Sequence, residues 1–303
     1  AYLNVLAWPT AAFGWMLSLV ERGRAAMRRL EEILETKPEI ASANTTASVA
    51  KLKEGIEFHN VSFAYGRQKN GYAALEGIDF KLPVGKSVGL VGRIGSGKST
   101  VAQLVPRLFD VAAGEILMDG RDIRKLSLSE LRRMMGYVPQ EPFLFSTSLR
   151  RNLAFGRDEY SEAELARSIQ IAKLDRDLEI FPQGLDTPVG ERGVTLSGGQ
   201  KQRATLARAL IMDPPVLILD DCLSSVDAQT EAEILHGLKS ILKEKTCLII
   251  SHRISAVKEA DEILVLDEGK IIERGNHDAL VRQEGVYAEL YQQQRLSEEL
   301  EQI

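Results

Sequence analysis

The densest chemistry in the sequence lies in Gly92-Arg93-Ile94-Gly95-Ser96-Gly97-Lys98-Ser99-Thr100. This run follows an apolar stretch, Ser87–Val91, and leads into a helical pattern through Leu104 and Leu108. Strand, glycine loop and helix in that order make a phosphate-binding loop. Gly92, Gly95 and Gly97 let the backbone bend so that successive amides, through Ser96 and Thr100, point at phosphate oxygens. The helix N-terminus adds partial positive charge. Lys98 can reach the β- and γ-phosphates of a nucleotide, and the Ser99 hydroxyl can ligate Mg2+. A glycine turn without that task needs no lysine and hydroxyl at these offsets.

A second run, Val216-Leu217-Ile218-Leu219-Asp220, is an apolar strand ending in a carboxylate. Asp220 at its C-terminal edge is placed to hold Mg2+, often through water. Asp221 follows and either orients the attacking water as a general base or serves as a loop acid or helix cap. Between the two runs, Leu196-Ser197-Gly198-Gly199-Gln200 opens a helical stretch from Lys201 to Ile211. Ser197 supplies a hydroxyl, and Gly198 and Gly199 expose amides at a helix start, an anion site in itself.

Phosphate loop, LSGGQ and aspartate-terminated strand together resemble the ATP-binding cassette family, and the apolar N-terminal segment resembles an exporter half-transporter. The resemblance covers essentially the whole chain, with residues 1–50 its least specific part. It implies an α/β P-loop NTPase fold with a mixed sheet core, an antiparallel β subdomain and a helical subdomain, preceded by a transmembrane-helix fragment. It further implies ATP and Mg2+ as ligands. Two cassettes would close head to tail, with Ser197, Gly198, Gly199 and Gln200 of one facing the γ-phosphate held by the other. Motif by motif, Tyr65 matches the aromatic residue that stacks on adenine, although a single tyrosine also suits a core. Gln140, in Tyr137-Val138-Pro139-Gln140, matches the glutamine that contacts Mg2+ and the attacking water. Gly190-Glu191-Arg192-Gly193 resembles the segment set against intracellular coupling helices. Asp227, in Ser225-Val226-Asp227, matches the acid of the loop that crosses the dimer interface. His252, in Ser251-His252-Arg253, matches the switch histidine at the γ-phosphate. His59, His236 and His277 have no such context and read as surface or packing residues.

One position departs from the family. Active cassettes carry Glu after the magnesium aspartate, and this chain has Asp221. The loss of one methylene draws the carboxylate back by roughly 1–1.5 Å, about one C–C bond. Because general-base catalysis depends on hydrogen-bond reach, slow hydrolysis is expected at this chain's own site. The intact LSGGQ would complete a competent site on a different partner. A heterodimeric exporter with one degenerate site is therefore the favoured arrangement, and a homodimer with two slow sites is the alternative. A soluble cassette ATPase of DNA repair or chromosome maintenance is a further alternative, but such proteins usually interrupt the cassette with a long coiled coil. No such insertion lies between Lys98 and Asp220.

The elements that must position these groups are legible in outline. The 303 residues suggest about two structural units. With 38 Lys+Arg against 43 Asp+Glu the net charge is −5, which gives no support to nucleic-acid binding. Two cysteines, Cys222 and Cys247, form no disulfide framework and read as small buried residues in a reducing setting. Ala1 to Val20 carries no charge, approaching the roughly 20 apolar residues of a membrane helix. Arg22, Arg24, Arg28 and Arg29 follow, a bias that puts that end in the cytosol. The run reads as the cytosolic end of a last membrane helix, or as a buried soluble helix. Glu21 to Thr36 turns amphipathic, and Pro38 marks an end.

The expected organisation is thus 1–36 helix end and cytosolic extension, 37–54 linker, 55–286 nucleotide-binding domain, and 287–303 a polar helical tail with little to bury. Within the domain, Ile56, Phe58, Val61, Phe63 and Ile78, Phe80, Leu82 mark two half-buried strands. Val88–Val91, Val216–Leu219, Cys247–Ile250 and Ile263–Leu266 are the near-continuous apolar runs of a parallel sheet covered on both faces. The implied setting is an inner or plasma membrane protein with this domain in the cytoplasm. Its partners would be a second half-transporter, the transmembrane domain and membrane lipid.

Overall fold

The computed structural model describes residues 2–42, 51–66, 73–157, 159–190 and 196–301. Residues 43–50 of the expected linker and residues 191–193 of the expected coupling segment lie outside these. The chain divides into two compact units, residues 1–41 and residues 42–303.

The first unit is one long helix, α1 (Tyr2–Leu34), so the change from apolar to amphipathic sequence falls inside a single element. Pro9 sits within it, and the Thr10 hydroxyl donates back to the carbonyls of Leu6 and Ala7. Trp8, Phe13, Trp15 and Leu17 are exposed. Among the described residues no helix is long and apolar enough to cross a membrane. Polar and helix-breaking residues interrupt the apolar first half of α1, and charge fills its second half.

The second unit is built on two sheets. β1 (Gly55–Ala64) and β2 (Ala73–Pro83) pair antiparallel, and β4 (Ala113–Met118) and β5 (Arg121–Asp122) extend them in the order β2-β1-β4-β5. Phe58 and Phe80 face each other across the β1–β2 register with stacked rings 4.5 Å apart. The larger sheet holds β3 (Ser87–Gly92), β6 (Met135–Val138), β7 (Val216–Asp220), β8 (Thr246–Ile250), β9 (Glu262–Asp267) and β10 (Lys270–Gly275). Its order is β10-β9-β3-β8-β7-β6, parallel except for the β9–β10 pair.

Strand periodicity divides the hydrophobic interior into two cores. Val88, Leu90, Val216, Ile218, Leu248, Ile250, Leu264 and Leu266 face the antiparallel sheet and α2 (Lys98–Leu104). Their alternates Val91, Leu217, Leu219, Cys247, Ile249, Ile263 and Val265 face the opposite way. Each fully buried aliphatic side chain contributes about 1.5–3 kcal/mol, so both faces of every central strand resist a one-residue slip. This is the near-continuous apolar pattern of the sequence, resolved into two alternating faces.

The remaining helices are α3 (Leu128–Arg133), α4 (Leu149–Leu153), α5 (Glu162–Ile171), α6 (Asp175–Ile180), α7 (Gly198–Ile211) and α8 (Ala228–Glu244), then α9 (Ile254–Val257), α10 (His277–Arg282) and α11 (Val286–Glu301). α4 and α5 pack on α7 and form the helical part of the fold. The C-terminal helix buries more than its polar composition suggests. Tyr287 and Ala288 of its first turn are buried, and Leu290 and Tyr291 pack on the core. Glu273 fastens that turn by accepting from the Val286 and Tyr287 amides at 2.6 and 3.1 Å. The apolar positions are few but fall on one face.

Candidate functional site

β3 is buried along its whole length and delivers the glycine loop to the C-terminal edge of the parallel sheet. The loop's glycines are required by space as well as by conformation. A Cβ on Gly92 (φ +149°) would stand 2.0 Å from the Leu266 carbonyl oxygen, and one on Gly97 (φ +99°) 2.5 Å from that of Ala74. Gly95 (φ +82°) has nothing within 4 Å of its missing side chain. The loop is therefore pinned at both ends and open at its middle, the shape of a cradle for an anion. Lys98 folds back over it, its Nζ donating to the carbonyls of Gly92 and Arg93 at 2.9 and 2.7 Å and to Ser96 Oγ at 3.3 Å. Burial lowers the Lys98 pKa, and the carboxylates of Asp221 and Asp220 work against that fall.

Ser99 Oγ donates to Asp220 Oδ1 at 3.0 Å, joining the start of α2 to the end of β7. Asp220 is almost wholly buried, and burial raises its carboxyl pKa against the hydrogen bonds of Ser99 and Tyr137. Tyr137, from neighbouring β6, donates its hydroxyl to Asp220 Oδ2 at 3.4 Å. Ser99 and Asp220 are hard oxygen donors of the kind Mg2+ takes alongside phosphate oxygens. Among the described residues no cluster of three or more His, Cys, Asp or Glu could hold a metal ion. The pair thus fits a cation whose remaining ligands come from a bound phosphate and water.

Asp221 adopts left-handed backbone (φ +47°) with its amide donating to the Ile250 carbonyl at 2.8 Å. His252 Nδ1 lies 2.8 Å from both Asp221 oxygens, Ser251 Oγ donates to Oδ1 at 3.4 Å, and Gln140 Nε2 donates to Oδ2 at 3.4 Å. Burial would raise the Asp221 pKa, but the hydrogen bond and charge of His252 outweigh it and hold the carboxyl below its ordinary value. The His252 pKa is raised, chiefly by its bond to Asp221. Four residues singled out from distant parts of the sequence (Gln140, Asp220, Asp221 and His252) therefore converge on one edge of the sheet with Lys98 and Ser99.

Tyr65 stands at the mouth of this edge. Its hydroxyl shares a hydrogen bond of 3.1 Å with Thr100 Oγ1 and donates to Gln103 Oε1 at 3.0 Å, and Phe63 and Phe109 meet its ring edge-on. Nearly half of the residue remains exposed, so it is neither core nor free.

Ser197–Gln200 and Asp227 form a second group. Ser197 Oγ accepts from the Gln200 amide at 3.2 Å and Gln200 Oε1 accepts from the Ser197 amide at 2.8 Å, a capping box at the start of α7. Gln200 Nε2 donates to Asp177, which also pairs with Arg203. A Cβ on Gly199 would stand 2.9 Å from the Ser225 carbonyl oxygen, so the signature glycines let the 225–227 loop lie against α7. Gln202 is buried behind them, donating to Ser224 Oγ and accepting from the Ser225 amide, both at 2.8 Å. Asp227 is the exposed N-cap of α8, accepting from the Thr230 amide at 2.9 Å. Among the described residues, these two groups share no side-chain hydrogen bond. The sequence reading did not assign roles to Tyr137, Gln103, Gln202 or Asp177. Of these, only Tyr137 carried a signal, its place beside Gln140 in an otherwise apolar strand. Cys222, next to Asp221, is buried with its thiol pushed up to about 12 by that burial, which leaves it without nucleophilic character.

The ABC transporter family pattern matches residues 75–224, from β2 to the turn after Asp221. The chain carries an ABC transporter nucleotide-binding domain. It is 41% identical over 277 residues to an ATP-dependent lipid A-core flippase of Desulfotalea psychrophila, covering 91% of this chain and 48% of that protein. It is 40% identical over 300 residues to the multidrug resistance-like ATP-binding protein MdlA of Escherichia coli, covering 99% of this chain and 50% of that one. Among solved structures, a bacterial Atm1-family ABC exporter with ATP bound matches with a TM-score of 0.84 at 37% identity, over 91% of this chain and 48% of that one. The chain spans about half the length of these relatives. The domain is of the ABC ATPase type, with homology to ABC exporters.

Proposed function

We propose that this chain is the ATP-binding and ATP-hydrolysing part of an ABC exporter subunit, in which α1 is the cytosolic end of a membrane helix belonging to a transmembrane domain. ATP would close this domain against a second cassette, closure would move the membrane helices, and hydrolysis would reset them. Such a protein works in an inner or plasma membrane with the nucleotide-binding domain in the cytoplasm. The relatives' names and the ATP-bound exporter structure support this reading.

In the nucleotide site, Lys98 leaves the loop carbonyls to hold β- and γ-phosphate oxygens, and the opened glycine loop offers its amides. Mg2+, held by Ser99, Asp220 and Gln140, would supply charge neutralisation at the phosphates. Tyr65 offers its exposed ring to the adenine. Asp221 accepts a proton from the attacking water, and His252 faces the γ-phosphate. Ser197, Gly198, Gly199, Gln200 and Asp227 lie on an outward surface and complete the site of a second cassette.

Hydrolysis at the chain's own site is slow in this reading. The observation that carries it is the short Asp221 carboxylate, whose two oxygens both lie within 2.8 Å of His252 Nδ1. A base one methylene short and engaged with its neighbour reaches the water poorly. The intact signature then serves a partner of different sequence, a heterodimer. ATP turnover by the purified chain alone, and with a glutamate-bearing partner cassette, tests this. Slow turnover alone and brisk turnover in the mixture are expected. Brisk turnover by the chain alone, abolished by Asp221→Asn, contradicts the slow site and favours a homodimer.

A further inference from the structure

His252 is held from two directions. Its ring faces Asp221, while its backbone is bound by α11, the C-terminal helix. Gln294 Nε2 donates to the His252 carbonyl, and Gln294 Oε1 accepts from the Ile254 amide at 2.7 Å. One carboxamide thus spans the peptide groups on either side of Arg253. No side chain of the N-cap residue Arg253 satisfies the first turn of α9, so Gln294 supplies the missing acceptor from a different element. Arg253 itself is turned away to pair with the buried Glu231 of α8.

The platform behind Gln294 is rigid. Glu273 ties the first turn of α11, Tyr287 is fully buried, and its hydroxyl lies 2.8 Å from His277 Nδ1. A helix seated this firmly at one end transmits its position to the residue that bonds His252 two turns further on. We propose that Gln294 is a positioning residue for the ATP site, acting through His252: the C-terminal helix sets the direction of the switch imidazole. This rests on the reading of His252 as the side chain that faces the γ-phosphate.

The test is nuclear magnetic resonance of the full chain, which has only four histidines, joined to single-turnover hydrolysis of MgATP. In Gln294→Ala, the His252 imidazole resonances are expected to shift while those of His59 and His236 stay in place. Exchange of the Ile254 amide should accelerate about tenfold or more. Single-turnover rate should fall about tenfold with ATP affinity unchanged, since small misplacements of a reacting group are costly. Gln294→Glu keeps the acceptor for Ile254 and loses the donor to His252, so it should restore the Ile254 protection but not the rate. In a His252→Ala background Gln294→Ala should cost nothing further. Unmoved His252 resonances with an unchanged rate, or a full additional loss in the His252→Ala background, overturn the proposal. If His252→Ala alone leaves the rate unchanged, the reading of His252 fails, while the resonances still decide whether Gln294 positions it.

Discussion

His252 Nδ1 lies 2.8 Å from each carboxylate oxygen of Asp221, so the residue that follows β7 and the histidine just beyond β8 form one paired unit. The pairing makes stability depend on pH in a definite direction. His252 titrates above its ordinary value and Asp221 below its own. The histidine's contribution is complete below the unfolded value of about 6.5 and is lost as pH rises through the raised folded value. The aspartate's is complete above about 3.9 and is lost as pH falls through the lowered one. His252→Ala should therefore lower the unfolding temperature at pH 6 and change it little at pH 9. With the His252 side chain about half exposed, the effect at pH 6 should be at most about 1 kcal/mol, or roughly 2–4 °C. An equal loss at both pH values would show that the pair is uncharged.

Asp221→Glu restores the missing methylene and brings the carboxylate toward the phosphate side of the pocket. The expected result is a rise in ATP turnover of about tenfold or more, with the Michaelis constant little changed. Steady-state turnover of the two proteins under identical conditions measures it. A fall in turnover would mean that the Asp221–His252 contact favours hydrolysis at this site.

Asp220 gives a contrasting case, because its carboxylate is buried against the hydroxyls of Ser99 and Tyr137. Its raised pKa means that the ionised form opposes folding of the nucleotide-free chain. Asp220→Asn keeps an acceptor for Ser99 and removes that charge. The unfolding temperature without nucleotide should stay the same or rise by a few degrees. The further rise on adding MgATP, about 2.7 kcal/mol at a hundredfold excess over the dissociation constant for a one-site ligand, should shrink by half or more. Thermal melts with and without MgATP separate the two effects, and a lower melting point without nucleotide would contradict the account.

Much of this was legible in the residues because the motifs are local. The glycine loop, Asp220 at a strand end and Ser197 at a helix start are read from neighbours a few positions away, and each falls where strand or helix periodicity puts it. The parallel core was legible for the same reason, since apolar runs such as Val216–Leu219 cannot face water on either side. Ser99 and Asp220 were legible as two halves of one cation site although they lie 121 residues apart, whereas the resemblance set His252 at the γ-phosphate and its pairing with Asp221, 31 residues away, was not read. Gln202 and Gln294 gave no usable signal, and Tyr137 gave only its place near Gln140. A tyrosine in a strand or a glutamine in a helix is ordinary composition, and only the folded chain aims their side chains at Asp220, the 224–225 loop and the 252–254 segment. The burial of Tyr287 in a polar tail was hidden likewise, because four apolar residues on one face weigh little in an average over α11.

Every role proposed for the site depends on the loop closed by Lys98 gripping a nucleoside triphosphate. Equilibrium binding of a fluorescent ATP analogue with Mg2+, to the chain and to Lys98→Ala, tests it most directly. Losing a charge-assisted contact of about 1.5–3 kcal/mol should weaken binding roughly 10- to 150-fold, with the melting temperature of the nucleotide-free chain little changed. Equal affinity in the two proteins would contradict the account.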